Sequence, residues 1–192
     1  MLVRIVIGSK AYEELTDMSN EGDLEFLSDN SSYGLVIEKK VIQNMLSICR
    51  ASKNLEVGGI VLGTYDSENR YALVSNISSA PIDSLRGKNW FHRGVYGLQV
   101  LLDRCWHQGR KYYLGEWHFH PYSSAIASSI DIKQMTSIST KNDYNCPEPI
   151  MIILGGNPKR DWEVRAYVFP RNKMWIELKN KQRSLRELDE LA

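Results

Sequence analysis

Apolar residues in this chain recur with either a helical or a strand period, and most of the predicted elements follow from which period holds. Leu2–Ile7 reads as a strand, and the polar residues 8–32 carry little pattern beyond a helical tendency around Ala11–Leu15. Tyr33–Ile37 is a further strand. It runs into Glu38–Ala51, where Val41, Ile42, Met45, Leu46 and Cys49 fall at helical spacing. Gly58–Tyr65 and Tyr71–Ile77 read as a hairpin turned at Ser67–Asn69. Ser78–Arg93 is a long loop holding proline, glycine and aromatic residues, and loops of such length are usually functional or mobile. Val95–His107 is predicted as a helix that Gly109 ends, with His107 suited to the negative end of its dipole. Lys111–His120 is a strand, and Asp131–Lys141 a helix opened by Ser128. Pro149–Leu154, Trp162–Phe169 and Lys173–Leu178 complete the strands. Residues 180–192 read as a short charged helical tail.

Composition changes this picture little. The 192 residues, 43% hydrophobic and 24% charged with a formal net charge of +1, suit one soluble domain spanning 1–192 and give no sign of a nucleic-acid partner. Cys49, Cys105 and Cys146 are scattered, which argues against a disulfide framework and against a thiolate metal site. No apolar run approaches the roughly 18 residues of a membrane span, and the N-terminal run is too short for a secretory leader. The expectation is a cytoplasmic protein without a membrane partner.

The chemistry concentrates in Leu114–Asp131. Glu116, His118 and His120 stand at i, i+2 and i+4, so a strand would aim all three to one face. Pro121 cannot donate to a sheet ladder and should end the strand. Seven residues separate His120 from Ser128, and two separate Ser128 from Asp131, which falls in the first turn of the next helix. Either half alone has an ordinary reading: a surface histidine pair, or a helix-capping box. Together they bring two imidazoles and a carboxylate to one point with a fourth position left open, the donor set of a catalytic zinc site. The other zinc patterns lack their residues, since there is no His-Glu-x-x-His and Cys146-Pro147-Glu148 does not supply a deaminase Pro-Cys-x-x-Cys.

With Glu56 upstream in LEVGGIVLG, the order glutamate, His-x-His, seven residues, Ser-x-x-Asp resembles the JAMM (MPN-plus) metalloproteases. The resemblance covers about Val36–Phe169, and YLGEWHFHP is similar to the prokaryotic branch. Pro81, Asp83, Arg86, Phe91 and Arg93 resemble in particular the small deconjugating peptidases encoded with bacterial antiphage (CBASS) systems.

The resemblance implies an α/β (α+β) fold, a curved mixed β-sheet flanked by helices that is similar in outline to cytidine deaminases. It implies Zn2+ on His118, His120 and Asp131, with Glu56 as general base and Ser128 as oxyanion donor. It also implies a protein substrate with an extended C-terminal tail, such as a nucleotidyltransferase attached to targets by a ubiquitin-transfer-like ligase. The loop Ser78–Arg93 is the expected wall of the substrate groove, where His92 would meet the substrate. A hydrolase of a sulfur-carrier or small peptide adduct, and a non-catalytic MPN interaction module, are the competing functions. Two positions stand apart from the common pattern. Phe119 replaces the usual Ser or Thr between the histidines, and on a strand it points to the core with Trp117. Glu116 is open to three readings: an acceptor behind the ligands, a surface residue, or the base itself.

Overall fold

A computed structural model describes residues 19–181. The strand predicted at Leu2–Ile7, the helical tendency at Ala11–Leu15 and nearly all of the tail 180–192 lie outside those residues. The chain runs β1 (Leu24–Leu27), β2 (Gly34–Ile37), α1 (Lys39–Ala51), β3 (Val57–Tyr65), β4 (Tyr71–Ile77), β5 (Leu85–Arg86), β6 (Phe91–His92) and α2 (Leu98–Gly109). It continues with β7 (Tyr112–Pro121), α3 (Ser129–Thr140), β8 (Ile150–Gly156), β9 (Trp162–Val168) and β10 (Ile176–Asn180). The fold is mixed α+β. Eight strands pair in the order β1-β10-β9-β8-β7-β3-β4-β2, and the sheet curls until β1 meets both β2 and β10, closing a barrel. The β2–β4 and β7–β8 pairs are parallel and the other pairs antiparallel.

Alternation along β7 sorts its side chains. Trp117 and Phe119, each 1% exposed, join the main core with the apolar side of α1 (Val41, Ile42, Met45, Leu46, Cys49). Each such aromatic contributes roughly 1.5–3 kcal/mol by leaving water. The expectation that Phe119 concerns packing is therefore met. On the other face, Leu98, Leu101, Leu102 and Cys105 of α2 pack against Ile60 and Leu62 of β3, while Met135 and Ile138 of α3 pack against Met151 and Ile153 of β8. Strand β8 is apolar on both sides because both are covered, which is why Ile150–Leu154 is one unbroken hydrophobic run. Two helices thus cover the outer face on either side of the polar stretch of β7.

Four elements depart from the sequence expectation. β1 was hidden in polar residues and pairs through four positions with β2. The loop 78–93 holds a small hairpin, Leu85 opposite His92 and Arg86 opposite Phe91. The last strand begins at Ile176, because Lys173 lies in the turn after Pro170. Helix α2 includes Gly109, and Arg110 takes the left-handed cap at φ 54°, its N–H bonding the Cys105 and Trp106 carbonyls. Among the described residues no helix is long and apolar enough to cross a membrane.

Candidate metal centre and cleft

The polar face of β7 opens into a cleft of about 380 Å3 lined, among others, by Glu56, His118, His120, Ser128 and Asp131. Each arrives on a different local device. β7 carries the two histidines, whose Nε2 atoms approach to 2.8 Å. His120 is turned by its other nitrogen: Nδ1 lies 2.9 Å from the carbonyl of Ser124, which can only accept. Nδ1 therefore donates there, which leaves Nε2 as the nitrogen that faces His118. Asp131 arrives on the first turn of α3 through a full capping box. The Ser128 N–H donates to Asp131 Oδ2 at 2.7 Å, and the Asp131 N–H donates to Ser128 Oγ at 3.3 Å. That leaves Oδ1 of Asp131 facing His118 Nε2 at 3.7 Å.

The three donor atoms, two nitrogens and an oxygen, lie within 4.8 Å of one another. Burial pushes the His118 pKa down to about 4, with Asp131 opposing and His120 assisting. A buried imidazole kept neutral is a ready metal ligand. Gly58, opposite His118 on β3, completes the cradle: a Cβ there would lie 2.3 Å from the Trp117 carbonyl oxygen and 2.8 Å from His118 Cβ. The donor set, its small radius and this clearance fit a divalent metal of zinc type.

Glu56 stands just before β3, half-buried at the same cleft. Burial raises its pKa above the usual carboxylate value, with His120 opposing and Asp131 adding to the effect. Ser128 Oγ accepts the capping bond and still has a proton to donate.

Glu116 is not a surface residue, and its carboxylate is engaged by two neighbours. It is 4% exposed and accepts a two-pronged contact from Arg93, Nε to Oε2 at 2.7 Å and Nη2 to Oε1 at 2.9 Å. The Tyr113 hydroxyl donates to the same carboxylate at 2.9 Å. An i, i+3 contact on one face of a strand needs a break in alternation, and a bulge supplies it: Val61 pairs with Gly115 but Leu62 pairs with Tyr113. Gly115 has φ 153°, and a Cβ there would meet the Ile150 carbonyl oxygen at 1.8 Å.

Two partners went unread in the sequence. Glu163 on β9 accepts the Ala125 N–H at 2.7 Å, and the Tyr167 hydroxyl meets the N–H of Ala127 at 3.2 Å, so β9 braces the loop between His120 and Ser128. Nothing in their local sequence marks them. His92 is exposed on β6. The cysteines are all buried, and burial pushes the Cys49 and Cys146 thiols up to about 12, which leaves them inert.

Comparison with known proteins bears on the family. A protein called CD-NTase/cGAS isopeptidase from Enterobacter hormaechei subsp. hoffmannii (strain UCI 50) is 42% identical over 157 residues, 82% of this chain and 87% of that protein. A protein of the same name from Escherichia coli (strain TW11681) is 27% identical over 143 residues, 71% and 85% of the two chains. The solution structure of a Desulfitobacterium hafniense protein superposes with a TM-score of 0.52 at 16% identity, covering 76% of this chain and 88% of that one, and shows a shared fold alone. Residues 38–167 match the model of the prokaryotic homologs of the JAB domain, and the chain belongs to that family.

Proposed function

We propose that this protein is a zinc-dependent isopeptidase that cuts the amide bond after the C-terminus of a conjugated protein. The observation that carries the reading is the convergence of His118, His120 and Asp131 beside Glu56 in one open cleft. A zinc ion held by these three residues would supply Lewis acidity, polarising an amide carbonyl and making water acidic enough to react near neutral pH. Glu56 takes a proton from the attacking water and passes it to the departing amine, a task its raised pKa suits. The Ser128 hydroxyl donates to the oxyanion as the carbonyl carbon becomes tetrahedral. A C–O bond forms, the C–N bond breaks, and the products are a carboxylate and a free amine.

The rims of the cleft support an extended peptide as substrate. Trp90, Ile126 and Ile130 line it while 54%, 56% and 74% exposed, apolar surface set beside a polar floor. The 42% identical relative is named for a CD-NTase, so the substrate we assign is a nucleotidyltransferase conjugated through its C-terminal tail, in bacterial antiphage defence. The setting is the cytoplasm.

The test is cleavage of a fusion joining the nucleotidyltransferase C-terminus to a reporter protein. Cleavage should cease with a chelator, return with zinc and ignore a thiol alkylator. Glu56→Gln should keep its metal and lose at least about 100-fold in rate. Cleavage that survives full chelation, or that Glu56→Gln leaves intact, overturns the reading.

A further inference from the structure

The segment between β4 and α2 is tied down at three places. At its root, Asp83 accepts the N–H groups of Val95 and Tyr96 at 2.9 and 3.0 Å, and Ser84 Oγ accepts the Gly94 N–H at 3.0 Å. At the far end of β5, the Gly87 carbonyl accepts the backbone N–H of Glu56 at 2.8 Å. Between them, Arg93 leaves the end of β6 and seats its guanidinium on Glu116, two residues before His118. Its remaining nitrogen, Nη1, donates to the Gly94 carbonyl at 2.9 Å. The side chains of Arg93 and Glu116 are only 11% and 6% exposed.

A buried ion pair is a poor source of net stability, because desolvation offsets most of the attraction. It is a good source of geometry. A planar fork on a carboxylate fixes both distance and orientation, which a lysine ammonium cannot do. Here the carboxylate end is rigid, being on the same strand and face as the histidines. The guanidinium end carries the hairpin, and Trp90 and Phe91 from that hairpin line the cleft.

We infer that Arg93 is a positioning residue for the reaction proposed above: through its fork on Glu116 it fixes the β5–β6 hairpin over the ligand cluster and so fixes how the substrate chain lies in the cleft. Arg93 lines the cleft, but all three guanidinium nitrogens are engaged by Glu116 and the Gly94 carbonyl, so it acts through the hairpin it holds. The wall is set before substrate arrives, so binding does not pay the entropy of ordering it.

The experiment compares the zinc-loaded wild type with Arg93→Lys, Arg93→Met and the double variant Arg93→Met/Glu116→Leu. The double variant removes both buried charges and should fold even where Arg93→Met alone leaves the Glu116 charge without its counterion. Three quantities are read: hydrogen exchange of residues 84–93 against β8 and β9, zinc per chain, and kcat and KM on the reporter fusion. Each variant should exchange about tenfold or more faster in the hairpin, with β8 and β9 unchanged and one zinc retained. KM should rise about tenfold while kcat stays within about threefold. A double variant with wild-type hairpin protection and KM overturns the inference, since the pair is then only a filled space. Loss of zinc, or a fall in kcat at constant KM, also overturns it, because Arg93 then acts on the ligand strand. If the wild type does not cut the fusion, the isopeptidase reading fails, and hairpin exchange alone still decides whether Arg93 holds the wall.

Discussion

On one side of the cleft the bonds that aim the proposed metal-binding atoms span three or four residues: His120 to the Ser124 carbonyl, Ser128 to Asp131. On the other side the hairpin wall is held by a contact across 23 residues, Arg93 to Glu116. The bonds that aim these atoms form with their own strand and helix, and β9 then braces the loop between them through Glu163 and Tyr167. The second wall exists only once β7 is seated in the sheet and the segment 78–94 has folded back onto it. On the reading proposed here, short-range bonds serve the atoms that would meet on a metal, and a long-range ion pair serves the surface that would receive a substrate. Damage to the first wall should abolish chemistry, while damage to the second should weaken binding.

The largest effect should follow Asp131→Ala, which removes a proposed ligand and half of the capping box. Zinc content should fall to background and cleavage with it, and full zinc occupancy in this variant would break the distinction between the walls. Ser128→Ala comes next. It should keep zinc, lower kcat by about 100-fold through the lost oxyanion donor, and cost about 1 kcal/mol in a urea melt through the lost cap. An unchanged kcat would leave Ser128 a cap and nothing more.

His118 should make the metal-free protein acid-sensitive. Its pKa is about 4 when folded against 6.5 as the unperturbed value, so between those limits the unfolded chain binds a proton that the folded chain refuses. Stability therefore falls as pH drops from about 6.5 towards 4. Urea melts in chelator should show this slope in the wild type and a flatter one in His118→Ala. The smallest effect should come from Asp83→Ala at the root of the hairpin wall. Its hydrogen bonds are solvent-exposed, so KM should rise only about two- to threefold with kcat unchanged. A loss in kcat there would mean that the two walls are not separable.

The sequence by itself determined the elements whose pattern is local: β7 by alternation and by its terminating proline, α1 by helical spacing, the start of α3 by Ser128 and Asp131. It also brought the five candidate site residues to attention, because ligand chemistry demands those residue types at those intervals, and all five line the one cleft. Tertiary structure decided the rest. β1 spans only Leu24–Leu27 and gains its identity from partners in β2 and β10. The β5–β6 hairpin has two residues in each strand, too few to show a period. The bulge at Gly115 shifts the alternation by one residue, so Tyr113 joins Glu116 on a face that strict alternation denies it. Glu116 remained open because what a buried carboxylate does depends on its partner. That partner, Arg93, comes from a distant segment that only the folded sheet brings beside it.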